Sequence, residues 1–287
     1  MYVIRMKTII YYIAIFVISI ASIGIIRLYS DAAVPASVSC VPEDMAEVPI
    51  LMYHNIHRNP GKGDFIITEK AFEEDLKFIT ENGYTTVVMQ DLIDYTHGKG
   101  DLPEKAVMLT FDDGYFNNYA YAFPLLKKYN CRAVISVIGC YTDMYTESPD
   151  ENPAYAHVSW AHIKEMMDSG LVEFQNHSYD LHTTDKGRNG AKKKKGESLD
   201  EYKSHLTSDL NKLQEAFKTN THYTPTTFTY PFGSVSNDSF DIIKELGFKA
   251  SLSCENKTNH LERNPEQLYM LNRFIRTSKK SARVILK

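Results

Sequence analysis

Two hydrophobic periodicities alternate along most of this chain, and that alternation limits the possible folds more than any other feature. Short apolar runs rich in β-branched residues read as strands at 50–53, 85–89, 106–111, 132–138, 172–175, 226–230 and 248–252. Helical stretches stand between them at 69–82, 116–129, 160–169, 199–218 and 239–246, and Gly83, Gly170 and Gly247 suit left-handed caps at three of their ends. Consecutive strands joined by helices pair in parallel, so an α/β fold is expected. The number of repeats favours closure into a distorted (β/α) barrel, with an open doubly wound sheet as the alternative. Against that alternative, no strand is followed by a GxGxxG or Walker loop.

The first thirty residues stand apart from this pattern. Residues 8–26 form an uncharged run of nineteen, about 28 Å long as a helix and close to a bilayer's hydrocarbon thickness. Arg5 and Lys7 precede it and only Arg27 follows, which places the N-terminus in the cytoplasm and the remainder outside. The expected organisation is a membrane anchor at 1–30, a small, acidic, proline-bearing stalk at 31–48 and a catalytic domain at 49–287. Secretion after signal cleavage is the alternative, although Ser30-Asp31-Ala32 is a poor cleavage site. The net charge is −4, and residues 1–30 contain three bases and no acid, so the body is more acidic than the whole. Such a body lacks the basic footprint of nucleic-acid binding, which is excluded as a partner. The four cysteines show no CxxC spacing and indicate no zinc knuckle; Cys131 reads as a small core residue. A stretch from His182 to Leu199, with lysines at 192–195, reads as a solvated loop, or else as a basic rim beside an anionic polymer.

The unusual polar residues fall where strands end. The strand at 106–111 runs into Asp112-Asp113-Gly114-Tyr115, that at 172–175 into Asn176-His177-Ser178-Tyr179-Asp180-Leu181-His182, and that at 226–230 into Pro231-Phe232-Gly233-Ser234. In βα folds the loops after strands converge on one face, where active sites are built. Two adjacent aspartates cannot both stay buried and ionised without a cation or a raised pKa. Two histidines and one carboxylate form a ligand set suited to catalytic zinc, which leaves the other aspartate free to take a proton from water. Singly, an Asp-Asp-Gly is more often a turn, and a histidine near a strand end more often structural. Three such clusters on three strand ends outweigh those readings.

Thr110 through Tyr115, His177 through His182 and Tyr230-Pro231-Phe232-Gly233 resemble the successive motifs of the NodB-homology polysaccharide deacetylases, carbohydrate esterase family four. Val48 through His54 and the segment from Ser159 to Leu171 resemble the surface-anchored poly-N-acetylglucosamine deacetylase branch of biofilm formation. The resemblance spans residues 49–276. It implies Asp112 as the base and Asp113, His177 and His182 as ligands of one divalent metal, Zn²⁺ first, with Co²⁺, Ni²⁺ or Mn²⁺ as substitutes. It also implies an oxyanion donor at the backbone N–H of Phe232 after Pro231, and apolar walls from Tyr115 and Phe232.

Three departures from the family pattern matter. Thr229 stands where many members carry an arginine that pairs with the base; Arg273 is the candidate replacement, the alternative being a surface arginine in a final strand. No histidine follows His260, so the usual C-terminal acid is missing and His54, after the first strand, is the candidate, with a structural role as the alternative. The two histidines lie five apart rather than four, which puts them on a loop. The other histidines (His57, His97, His157, His162, His205, His222, His260) are expected on loops or exposed helix faces, without a role. The expected function is N-deacetylation of N-acetylglucosamine units in an extracellular glycan such as poly-N-acetylglucosamine or cell-wall peptidoglycan. An O-acetyl polysaccharide esterase and a non-catalytic glycan-binding member of the fold are the competing readings.

Overall fold

A computed structural model describes residues 45–286. The expected anchor at 8–26, most of the stalk, and Cys40 lie outside the described residues. Among those described, no helix is long and apolar enough to cross a membrane.

Among the described residues there are twelve strands: β1 (Ala46–Val48), β2 (Ile50–Tyr53), β3 (Asn55–His57), β4 (Ile66–Thr68), β5 (Thr85–Val87), β6 (Ala106–Phe111), β7 (Ala133–Val137), β8 (Val172–Asn176), β9 (Thr227–Thr229), β10 (Ala250–Leu252), β11 (Asn259–Leu261) and β12 (Phe274–Ile275). Eight of them form one parallel sheet in the order β10-β9-β8-β7-β6-β2-β12, with β5 beside the first half of β6. The sheet curls until one segment touches both of its edges. Leu271 exchanges hydrogen bonds with Ser251 and Ser253 beyond β10 (2.8 Å each), and three residues later β12 pairs with Leu51 and Met52. The β1–β11 pair caps the structure, so the chain enters the domain at Ala46, inside the segment read as stalk.

The central strands β2, β6 and β7 are buried along their whole length, as parallel strands covered on both faces must be. Their side chains alternate between two apolar layers. Leu51, Val107, Leu109, Phe111, Ala133 and Ile135 pack against the surrounding helices. Ile50, Ala106, Met108, Val134, Ala250 and Leu252 form the other layer. The helices are α1 (Glu69–Glu81), α2 (Met89–Thr96), α3 (Phe123–Tyr129), α4 (Gly139–Glu147), α5 (Trp160–Asp168), α6 (Leu199–Thr221), α7 (Ser239–Glu245) and α8 (Ala282–Ile285).

Three local readings change. The strand expected at 85–89 stops at Val87, because the Asp91 carboxylate accepts the Val88 N–H at 2.8 Å and starts α2. The helix expected from Phe116 begins as a π-turn over Asn118–Ala122. Pro124 lacks the N–H that an α-helix would direct to residue 120, and the wider turn closes instead from Phe123 N–H to Asn118 O. The lysine-rich loop is anchored rather than merely solvated. The Arg188 guanidinium and Glu197 carboxylate pair at 2.8 Å with side chains only 8% and 6% exposed, Ala191 is buried, and Lys193 pairs with Asp238 at 2.6 Å. Lys192 and Lys195 remain exposed.

Candidate active site

The period-2 alternation of β6 sets the first part of the site. Continuing from Ala106 and Met108, it puts Thr110 and Asp112 on the same side, and one buried arginine meets both. Asp112 N–H extends the ladder to Tyr53 O at 3.1 Å. Its two carboxylate oxygens accept from Arg273 Nη1 at 2.7 Å and Nη2 at 2.8 Å. Arg273 has no exposed surface, and its Nε donates to Ser253 O at 2.7 Å, so the surface-arginine alternative is overturned. Burial alone would raise the Asp112 pKa, but the Arg273 charge and hydrogen bonds outweigh it and hold the carboxyl below its ordinary range. Thr229, in the place of the expected arginine, bonds through its hydroxyl to Ser136 Oγ at 2.7 Å.

The next two residues turn the chain. Asp113 and Gly114 both adopt left-handed backbone, at φ 72° and 70°. A Cβ at position 114 would lie 2.7 Å from Val137 Cγ1, so only glycine fits. The turn aims Asp113 away from Arg273 and towards the histidines. Asp113 Oδ1 lies 3.4 Å from His177 Nε2 and 3.2 Å from His182 Nε2, and this buried oxygen has no hydrogen-bond partner. His177 Nδ1 donates to Thr229 O at 2.8 Å, which leaves Nε2 free to act as a ligand in the neutral ring. Burial would raise the Asp113 pKa, but the surrounding imidazoles, His177 first and then His54 and His182, outweigh it and hold the carboxyl far below its usual range.

These three residues fit a divalent ion. One ligand atom from each of Asp113, His177 and His182 lies within 4.8 Å of the others, and the orphaned carboxylate oxygen finds no donor within the protein. Two imidazoles and a carboxylate are the donor set of many catalytic zinc sites.

Asp112, Asp113, His177 and His182 line one cavity of about 280 Å³. His54, Tyr115 and Phe232 line it too, together with Met52 from the first motif and with Asn55, Phe65, Cys254 and Ile275, four residues that carry no sequence signal for the site. His54 Nε2 stands 3.9 Å from Asp112 Oδ2, and its ring packs on Phe65 at 4.5 Å. Burial depresses the His54 pKa despite the nearby Asp112 charge. Burial, aided by Asp113, pushes the Tyr115 phenol up to about 12. Pro231 and Gly233 do not reach the cavity; they form a single 3₁₀ turn that presents Phe232 at φ 57°, its ring 4.1 Å from His182. His157, expected on a loop or an exposed helix face without a role, lies on a loop but is buried between the rings of Tyr115 (4.7 Å) and Tyr141 (4.4 Å), and burial lowers its pKa to about 4.

A curled parallel sheet with this Asp-Asp and His-His arrangement at its strand ends defines a carbohydrate-deacetylase type of catalytic domain. Residues 99–251 match the sequence pattern of the polysaccharide deacetylase family, and the chain belongs to that family. It is 26% identical over 231 residues to the poly-β-1,6-N-acetyl-D-glucosamine N-deacetylase of Escherichia coli K12, covering 71% of this chain and 33% of that one. It is 28% identical over 194 residues to the enzyme of the same name from Staphylococcus aureus MSSA476, covering 68% and 63%. The chain thus spans a third of the first relative's length and under two thirds of the second's. A de-N-acetylase structure from Aggregatibacter actinomycetemcomitans superposes with a TM-score of 0.71 at 25% identity, covering 83% of this chain and 98% of that one.

Proposed function

We propose that this chain hydrolyses N-acetyl groups from N-acetylglucosamine units of an extracellular polysaccharide, poly-β-1,6-N-acetylglucosamine first, with one divalent ion, Zn²⁺ in the first instance. One observation carries the reading: two adjacent aspartates face opposite partners in one cavity, Asp112 locked on Arg273 and Asp113 orphaned between two imidazoles. The names of the E. coli and S. aureus relatives support the choice of glycan.

In this reading Asp113, His177 and His182 hold the ion, which when bound polarises the acetamide carbonyl. Asp112, kept ionised and oriented by the two Arg273 hydrogen bonds, takes a proton from the attacking water. The backbone N–H of Phe232 donates to the oxyanion of the tetrahedral species. As the C–N bond breaks, the amine nitrogen needs a proton. The proton that Asp112 took returns to nitrogen, directly or by way of His54, whose Nε2 stands 3.9 Å from the Asp112 carboxylate. Tyr115 and Phe232 wall the sugar ring and the acetyl methyl. The domain is placed outside the cytoplasmic membrane, tethered by residues 8–26; retention of the full chain in carbonate-washed membranes is the corresponding test.

Activity is tested by acetate release from β-1,6-linked N-acetylglucosamine oligomers, using protein stripped of metal and then restored with Zn²⁺. Release that depends on zinc is expected. No release after restoration overturns the proposal, and faster release from O-acetylated xylan would favour the esterase reading.

A further inference from the structure

The loop that carries both histidines belongs to no helix or sheet ladder between its ends, yet its four inner N–H groups all have acceptors. Ser178 N–H donates to Asn176 Oδ1 (2.8 Å) and Leu181 N–H to Ser178 Oγ (3.2 Å). The two central groups, Tyr179 N–H and Asp180 N–H, go to one residue: Asp209 Oδ1 at 2.7 Å and Oδ2 at 2.8 Å. Asp209 lies on α6, far away in sequence, and is half-buried. The same stretch of α6 holds the end of β8, because Asn176 Nδ2 donates to Leu210 O and Gln214 Oε1 at 3.2 Å each. On the opposite side, Gly139 N–H and Cys140 N–H donate to Ser178 O and Tyr179 O, at 3.1 and 2.9 Å. The Tyr179 hydroxyl donates to Asp143, and Lys212 lies 3.7 Å above its ring.

From this geometry we infer that Asp209 is a positioning residue: by taking two successive backbone N–H groups on its two oxygens, it fixes the five-residue spacing of His177 and His182 and thereby the affinity of the site for a divalent ion. A loop without ladder bonds has many conformations of similar energy, and ordering it costs conformational entropy that metal binding would otherwise have to supply. Asp209 supplies two charge-assisted bonds at the loop's centre instead. The inference rests on the reading that Asp113, His177 and His182 hold the ion.

Asp209→Asn is the sharp test because it keeps the shape. An amide offers one acceptor oxygen, and its NH₂ would face the second backbone N–H. The full chain, purified in mild detergent, is titrated with Zn²⁺ against a chromophoric chelator, and the visible spectrum of the Co²⁺-loaded protein is recorded. Unfolding of the metal-free forms is measured alongside. Asp91→Asn serves as the control, since it removes the charge that pairs with Arg132 without touching the site. Asp209→Asn is expected to weaken Zn²⁺ binding by about 10- to 100-fold, the usual size for groups that orient ligands, and to shift the Co²⁺ bands. The control is expected to lose stability and keep both. Zn²⁺ affinity within twofold of the parent, with unchanged Co²⁺ bands, overturns the inference. Equal losses in the two variants also overturn it, since stability alone would then explain them. A parent chain that binds no Zn²⁺ defeats the metal reading itself, a result distinct from either.

Discussion

Asp112 and Asp113 are neighbours with the same chemistry and opposite surroundings, so substituting each isolates one half of the site. Asp112→Asn keeps the three metal-facing residues, and bound Zn²⁺ is expected to stay near one per chain while turnover falls by about 10²-fold or more. Asp113→Asn removes the orphaned oxygen and is expected to lose metal; reversed phenotypes in metal analysis would exchange the two roles. Arg273→Lys replaces a planar fork by a single ammonium, which cannot engage both oxygens. Burial would then act on Asp112 with less opposition and raise its pKa. The acidic limb of kcat/KM is expected to move to higher pH, and an unmoved limb would show that Arg273 does not set the ionisation of the base. For His54 the informative comparison is between substrates. If it passes a proton to the amine, His54→Ala slows N-deacetylation and spares an activated phenyl acetate, whose phenolate leaves unprotonated. Equal losses on both would mark it as shaping the pocket, consistent with its packing on Phe65.

At the scale of elements, the loops after the strands differ in what holds them. The Asp112–Gly114 turn is held by its own backbone and by contact with Val137, and the histidine loop by residues from two helices, α4 and α6. The lysine-bearing loop is held by the Arg188–Glu197 pair, with Glu197 also accepting Lys194 N–H at 2.8 Å. Removing one member of a buried pair leaves the other charge unpaired. Glu197→Ala is therefore expected to speed limited tryptic cleavage within residues 192–195 while the far-ultraviolet spectrum is unchanged. Cleavage at the parental rate would show that the loop is ordered by its other contacts. None of this was visible in the composition of the segment, where four lysines among glycine, aspartate and asparagine read as solvated chain. The anchor is one pair of charges nine residues apart, which has no periodic signature.

For the molecule as a whole, the pH dependence of stability is set partly by a group far from the chemistry. Glu173 on β8 accepts Gln90 N–H at 3.1 Å, and burial raises its pKa from 4.5 to about 7. A raised carboxyl pKa means that the folded state holds a proton that the unfolded chain releases. This stabilising contribution is complete below pH 4.5 and is lost as pH rises through about 7. Glu173→Gln is expected to flatten that part of the stability curve in denaturant titrations at pH 5 and 8, and equal slopes for both proteins would exclude Glu173 as the source. The alternation of strand and helix, the parallel sheet, and the three polar clusters at strand ends could all be read along the chain, because period-2 and period-3.6 patterns and strand-end position are local properties. Family motifs then marked Asp112, Asp113, His177 and His182 as a set. What the sequence left open is the company these residues keep. That Arg273 is buried and locked on Asp112 follows from β12 folding back beside β2, a contact between residues 161 apart. That Asp209 takes two N–H groups of the histidine loop, and that His157 is enclosed by tyrosines, depend likewise on which helix face meets which loop. Such contacts join residues distant in sequence and leave no local pattern, so only the tertiary structure decides them.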